Sequence, residues 1–148
     1  MADAMNVAEA IRQRPDVHYT GIALNLRGYE RAVTTKLHIT GGLQMSASNT
    51  FSKHNTNKDN DETLREQRRQ MAFFRDNNIP VDSAIVMTAF GCNFEGAIAP
   101  ETVRDCVKSL LDIADEFGVD LERVRLADTV GWASPLQVQR VVGVVRDK

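Results

Sequence analysis

The chain has 148 residues, which is enough for one domain with a sizeable hydrophobic core. Hydrophobic residues make up 43% and charged residues 26%, and the formal net charge of −2 favours neither nucleic acid nor an anionic membrane as a partner. No apolar run approaches the ~20 residues that cross a bilayer, and the N-terminal residues lack a secretory signal pattern. The two cysteines lie in unlike contexts, so we expect a reducing, cytoplasmic setting.

In chain order, a weak amphipathic helix comes first and ends before Pro15. Four apolar stretches then predict strands, and the third is apolar almost throughout, as a parallel strand buried on both faces requires. The Asn-rich segment 49–61 predicts a loop with at most a short turn of helix. The strands are expected at residues 17–24, about 43–46, 81–89 and 124–127. The helices are expected at residues 5–13, 29–36, 62–76, 100–117 and 135–146.

This alternation of strands and helices predicts a parallel sheet covered by helices. Residues 37–40 look like the start of a strand, but Gly41 and Gly42 are expected to interrupt it before the strand at about 43–46. Ser134 is expected to cap the last helix. Four strand–helix units build either a four-stranded open α/β sheet or half of an eight-stranded barrel. Periodicity alone does not separate these two architectures.

Polar side chains follow each predicted strand. The carboxyl ends of parallel strands meet at one edge of a sheet, which is where such folds build their sites. One carboxylate, one amide and several hydroxyls fit recognition of an oxygen-rich substrate, although turn chemistry also places polar residues in such loops. The set comprises Asn25, Ser46, Ser48, Thr88, Asp128 and Thr129.

Metal binding and cysteine catalysis find little support in the residue pattern. The three histidines are far apart, and neither a His-x-His pair nor a close carboxylate cluster occurs, so we predict no metal ligand within the chain. We expect His18 and His38 to be structural, whereas His54 is a candidate loop residue near a ligand. Cys92 has no histidine near it in sequence to act as a base.

Four motifs, in order and spread over nearly the whole chain, resemble those of the hydroxymethylglutaryl-CoA lyase family. That family belongs to a metal-dependent barrel superfamily that also includes isopropylmalate and homocitrate synthases. The Gly-Cys-x-x-Glu-Gly motif around Cys92 is the most lyase-like, whereas Asp-Thr-Val-Gly from Asp128 is shared more widely in the superfamily. The motifs occupy residues 24–30, 46–57, 89–96 and 126–131.

The resemblance implies that residues 1–148 form part of a (β/α)8 barrel, with four parallel units matching its middle strands. It implies cleavage of hydroxymethylglutaryl-CoA, or a similar hydroxyacyl-CoA, to acetyl-CoA and a keto acid. It also implies a divalent cation, Mg²⁺ or Mn²⁺, that polarises substrate oxygens and stabilises an enolate. Asp128 matches the family's catalytic aspartate, which handles protons. The substrate-binding positions implied by the match are Asn25, Ser48 and Thr129.

Several family features have no match in this chain. The first-strand Arg-Asp pair and the second-strand glutamate find no counterpart before Val17, and the His-x-His metal pair is expected beyond Lys148. Ile85 and Arg125 stand where animal lyases tend to have Tyr and Ser, so the identity of the acyl-CoA substrate stays open. A synthase-like acyltransferase fragment and a non-catalytic α/β binding module remain alternatives.

Part of a barrel leaves two sheet edges and an inner face uncovered. We therefore expect the chain to associate with itself or with a complementing barrel half. If titration shows that an acyl-CoA binds but no product forms, this result would favour the binding module over the lyase.

Overall fold

The computed structural model describes residues 3–146 and has a three-stranded parallel sheet at its centre, in the order β1-β2-β5. A two-stranded antiparallel hairpin, β3 with β4, lies in the loop that follows β2. The strands are β1 (Gly41–Ser46), β2 (Val81–Met87), β3 (Gly91–Cys92), β4 (Gly96–Ala97) and β5 (Arg123–Leu126). The helices are α1 (Ala4–Ala10), α2 (Leu26–Ala32), α3 (Asn49–Thr56), α4 (Asn60–Asp76), α5 (Pro100–Glu116) and α6 (Pro135–Arg146).

One face of the sheet forms the core with α4 and α5. Leu43 lies opposite Ala84, and Met45 lies opposite Val86, and each of the four is at most 3% exposed. Burial of each larger side chain contributes about 1.5–3 kcal/mol. The helices supply the other half of this core through apolar residues three and four positions apart: Met71, Phe74, Val103, Val107, Leu110 and Ile113.

Local signals fix the helix starts. Asp59 and Glu62 form a reciprocal capping box at the start of α4, and Pro100 occupies the first turn of α5. Ser134 accepts the Gln137 N–H at 3.3 Å while the Gln137 side chain accepts the Ser134 N–H at 2.9 Å. The predicted cap at Ser134 is therefore confirmed. None of the helices between residues 3 and 146 has the length and apolarity of a membrane span.

The α/β class with a parallel sheet is confirmed, and three of the four predicted strands form it. The strand predicted at residues 17–24 is wrong, because only an isolated bridge joins Thr20 to His38. A strand needs a neighbour for its backbone groups, and β1 instead donates the N–H of Gln44 to the buried Gln67 side chain at 2.9 Å. Val17, Ile22 and Leu24 of this segment consequently remain exposed.

Two further predictions are corrected. Residues 49–61 are not a loop, because the Ser48 hydroxyl accepts the Phe51 N–H at 3.0 Å and starts the eight-residue helix α3. Gly41 and Gly42 do not interrupt β1 but begin it. A Cβ at Gly41 would lie 2.7 Å from the Phe74 ring, so this glycine allows α4 to pack closely on the strand.

Candidate active site

Thr88 connects the carboxyl ends of all three parallel strands. Its hydroxyl oxygen lies 2.8 Å from that of Ser46, at the end of β1, and accepts the N–H of Ser48 at 3.2 Å. Its backbone N–H donates to the Thr129 hydroxyl, beyond β5, at 2.8 Å. Ser46, Ser48 and Thr88 are at most 1% exposed. We call these four residues the hydroxyl cluster.

The backbone of Thr88 is strained. Its φ of 53° lies in the left-handed region, which a β-branched residue rarely adopts. Such strain persists only where the surrounding contacts hold it, and it is common at functional sites. The hydrogen bonds of the hydroxyl cluster supply that restraint. They fix the direction in which the chain leaves β2 and enters the glycine-rich loop.

Cys92 lies beside this cluster in the β3–β4 hairpin. Its thiol donates to the Ser48 hydroxyl at 3.1 Å and accepts the Glu95 N–H at 3.4 Å. Burial raises the pKa of the Cys92 thiol, but its hydrogen bonds with the Ser48 hydroxyl and with the N–H groups of Glu95 and Phe94 together outweigh burial and leave the pKa below its usual value. The Glu95 carboxylate in turn accepts the Thr50 N–H at 2.7 Å, which ties the hairpin to α3.

The loop after β5 presents Asp128 at the surface. Its two carboxylate oxygens accept the N–H groups of Trp132, at 2.7 Å, and of Ala133, at 3.1 Å. Each oxygen keeps a further lone pair for a ligand or a proton. The Trp132 indole N–H donates to Asn93 at 3.1 Å, and the indole covers Gly91, where a Cβ would lie 2.8 Å from it. The loops after β2 and β5 are thereby joined into one surface.

Asn25 stands apart from this surface. It caps α2, where its side chain accepts the Gly28 N–H at 2.9 Å, and the neighbouring Leu26 N–H points to Glu66 of α4. Within residues 3–146 no hydrogen bond links Asn25 to the hydroxyl cluster. The structure thus brings Ser46, Ser48, Thr88 and Thr129 together, places Asp128 next to them in sequence, and leaves Asn25 outside their network.

The donor set does not fit a divalent cation. In the described part of the chain no group of three or more His, Cys, Asp or Glu side chains could hold a metal ion. His18 and His38 lie against each other with ring centroids 4.7 Å apart, and His54 stacks on Phe94 at 4.5 Å. The Asp128 oxygens are held by its own loop. A metal ion would therefore need ligands from outside the described residues.

Sequence reasoning missed the residues that join the loops. Trp132 with Asn93, and Glu95 with Thr50, connect segments about 40 residues apart and depend on loop conformation. The local sequence offers one signal for this conformation, the glycine pair Gly91 and Gly96 on either side of Cys92, which is typical of a tight turn. Both have positive φ, 152° and 72°.

Comparisons with known proteins identify homologues that match nearly the whole of this chain. No family model matches the chain. The cytoplasmic 3-hydroxy-3-methylglutaryl-CoA lyase of Mus musculus is 33% identical over 138 residues, which cover 91% of this chain and 37% of that protein. The (R)-citramalyl-CoA lyase of Chloroflexus aurantiacus is 32% identical over 131 residues, 88% of this chain and 38% of that protein. Both relatives are CoA-substrate lyases by name.

A solved hydroxymethylglutaryl-CoA lyase of Acinetobacter baumannii, in complex with coenzyme A and 3-methylmalate, superimposes with a TM-score of 0.75 at 30% identity. The match covers 97% of this chain and 44% of that structure. The chain is homologous to part of the hydroxymethylglutaryl-CoA lyases. Its parallel sheet and helices match part of the TIM barrel of these lyases, and it spans less than half the length of the relatives it matches.

Proposed function

We propose that this chain is part of a carbon–carbon lyase that cleaves 3-hydroxy-3-methylglutaryl-CoA, or a similar hydroxyacyl-CoA, to acetyl-CoA and a keto acid. One observation carries the proposal: Asp128 and Thr129 follow β5 at the carboxyl edge of a lyase-like sheet. The Thr88 N–H donates to the Thr129 hydroxyl at 2.8 Å and so holds their loop at this edge. Residues 1–148 would form one partial barrel domain. The citramalyl-CoA lyase relative supports the wider substrate class.

Asp128 is proposed as the catalytic residue. Its carboxylate would accept the proton of the substrate's 3-hydroxyl as the C2–C3 bond breaks. The electron pair of that bond would pass to the thioester as an enolate, C3 would become the ketone of the keto acid, and a proton returned to C2 would give acetyl-CoA. The N–H groups of Trp132 and Ala133 orient the carboxylate for this role.

The substrate-binding roles of Ser48, Thr129 and Asn25 belong to the same proposal. Ser48 is buried and its hydroxyl is engaged by Phe51 and Cys92, so its role would be to shape the pocket floor. Thr129 is exposed, and its hydroxyl oxygen accepts the Thr88 N–H, so its hydroxyl proton would be donated to the substrate. Asn25 caps α2 and would need to reach the ligand from outside the hydroxyl cluster.

The proposal also includes a divalent cation, binding of an acyl-CoA, and association with a further protein chain, because the related lyases imply them. The described residues supply no cation ligand set, so its ligands would come from elsewhere in the complete site. Both outer strands of the sheet, β1 and β5, have one side without a strand partner in the described part. A second copy or a complementing barrel half would cover that side. We propose the cytoplasm as the location of the protein, on the name of the mouse relative.

Ligand titration tests the proposal. Trp132 is the only tryptophan in the chain and its backbone N–H donates to Asp128, so its fluorescence reports on the site. We expect 3-hydroxy-3-methylglutaryl-CoA to change this fluorescence, and we expect Asp128→Asn to weaken binding about tenfold. The matched control is Asp115→Asn, an exposed acid on α5, which should leave binding unchanged.

Two results would contradict this account. If no CoA thioester binds, as measured by fluorescence and by calorimetry, the lyase proposal fails. Acetyl-CoA release by this chain alone with Mg²⁺ or Mn²⁺ would instead overturn the statement that its residues lack a cation ligand set. We expect this chain alone to bind the thioester without turnover, and turnover to follow only when a complementing barrel half is present; a non-catalytic binding module would give no turnover in either case.

A further inference from the structure

The face of the sheet opposite the helices carries an arginine. Leu43, Met45, Ala84 and Val86 point to the helix-covered core, so the alternate residues of each strand lie on the other face. There Gln44 is in register with Ile85, and Ile85 with Arg125, so the three form one row across the sheet. In a barrel this face is the interior.

The two arginines of β5 differ in their partners. Arg123 forms an ion pair with Asp82 at 2.5 Å. Arg125 makes no ion pair within residues 3–146, and its guanidinium has only the Ser83 hydroxyl, at the long distance of 3.5 Å. A guanidinium enclosed in a barrel interior needs an anion, because an unpaired buried charge is strongly destabilising.

No carboxylate of the described sheet is available to Arg125. Asp82 is engaged by Arg123, and Asp128, which is held by N–H groups of its own loop, forms no ion pair with Arg125 within residues 3–146. Arg125 lies three residues before Asp128, so its Cα is about 10 Å below the candidate active site along the strand. The long arginine side chain and an acyl chain entering from the carboxyl edge can together span that distance.

We propose that Arg125 is a specificity-determining residue that binds the free carboxylate of a dicarboxylic acyl-CoA. A guanidinium suits this task because its planar fork matches both oxygens of a carboxylate. Ile85 beside it supplies an apolar contact for the acyl chain. The inference rests on the proposed lyase function and adds to it the residue that selects an acyl group ending in a carboxylate.

A pair of thioesters isolates this contact. 3-Hydroxy-3-methylglutaryl-CoA and 3-hydroxy-3-methylbutyryl-CoA differ only by the terminal carboxylate. We expect the wild-type chain to bind the first about 10- to 100-fold more tightly, as one charge-assisted contact allows. Arg125→Met should abolish this preference and leave affinity for the butyryl thioester unchanged. Affinities would be measured by Trp132 fluorescence and by calorimetry.

Two further variants sharpen the test. Arg125→Lys keeps the charge but loses the planar fork, so it should retain only part of the preference. Arg123→Met removes the neighbouring arginine, which is already paired, and should retain all of it. Circular dichroism would establish that each variant is folded; Arg125 is exposed, and its replacement removes no core contact.

The outcomes separate the two proposals. If both thioesters bind wild type equally, or if Arg125→Met keeps the preference, the assignment of Arg125 is wrong and the lyase proposal stands. If Arg123→Met loses the preference as Arg125→Met does, overall charge and not this position is responsible, which also overturns the assignment. If neither thioester binds, both proposals fail.

Discussion

The carboxyl edge of the sheet and the first forty residues are built in opposite ways. At the edge, Ser48, Thr88 and Cys92 are fully buried although polar, and each is hydrogen-bonded to a residue 40 or more positions away. In the N-terminal region Ile22 is 82% and Leu24 is 66% exposed although apolar. Neither α1 nor α2 contains a buried residue.

This contrast teaches that partners, and not residue type, decide burial here. The polar edge residues are buried because three parallel strands end together and satisfy one another's hydrogen bonds. The apolar N-terminal residues are exposed because only one bridge, Thr20 to His38, ties their segment to another. We therefore expect the stability of the chain to come from the sheet, α4 and α5.

Substitution at the point where the two regions meet gives the largest expected effect. The Phe74 ring is 1% exposed and contacts the Tyr29 ring of α2 edge-on, with centroids 4.7 Å apart. Phe74→Ala should lower the free energy of unfolding in urea by about 3–5 kcal/mol, because it leaves a cavity against β1. Leu24→Ala, the control in the N-terminal region, should change it by less than about 0.5 kcal/mol.

An equal loss from both variants would contradict the contrast. It would mean that residues 17–24 pack as a strand in solution and that Leu24 is covered. Hydrogen exchange of the backbone N–H groups in this segment would then be slow. We expect it to be fast relative to that of β2.

Much of the fold could be predicted because its signals are local. Ser134 before α6, Pro100 at the start of α5 and the apolar run of β2 each identify an element from neighbouring residues alone. The segment 17–24 could not be predicted correctly, because its apolar residues suit a strand and only the lack of a neighbouring strand prevents one. Gly41 needed the position of Phe74 to be understood.

The candidate site was predictable in part for a geometric reason. Parallel strands end at one edge, so Ser46, Thr88 and Thr129 were expected together and are together. The positive φ of Thr88 and the bond from Trp132 to Asn93 arise from loop conformations that no local pattern encodes. Asn25 was expected at the carboxyl edge because a strand was predicted at residues 17–24. Since that segment is not a strand, Asn25 instead caps α2.

Removing the Thr88 hydroxyl tests the polar half of the contrast. Thr88→Val keeps the β-branched shape but leaves the Ser48 N–H and the Ser46 hydroxyl with one partner fewer in a fully buried place. The free energy of unfolding should fall by about 1–3 kcal/mol. Thr102→Val, at an exposed position of α5, should stay within about 0.5 kcal/mol of wild type. A neutral Thr88→Val would mean that the cluster does not stabilise the edge.

The smallest expected effect concerns the ion pair at the amino end of the sheet. The Arg123 guanidinium holds the pKa of Asp82 below its usual value, with help from the Ser83 hydroxyl. A lowered pKa in the folded state stabilises the fold above the unfolded-state pKa of about 3.9, and this contribution is lost as the pH falls through the folded-state value. We expect wild type to exceed Asp82→Asn slightly in urea stability at pH 6, since solvent screens the pair, and the difference to vanish as the pH falls below about 4. A difference that persists at low pH would show that Asp82 stabilises the sheet through packing instead of charge.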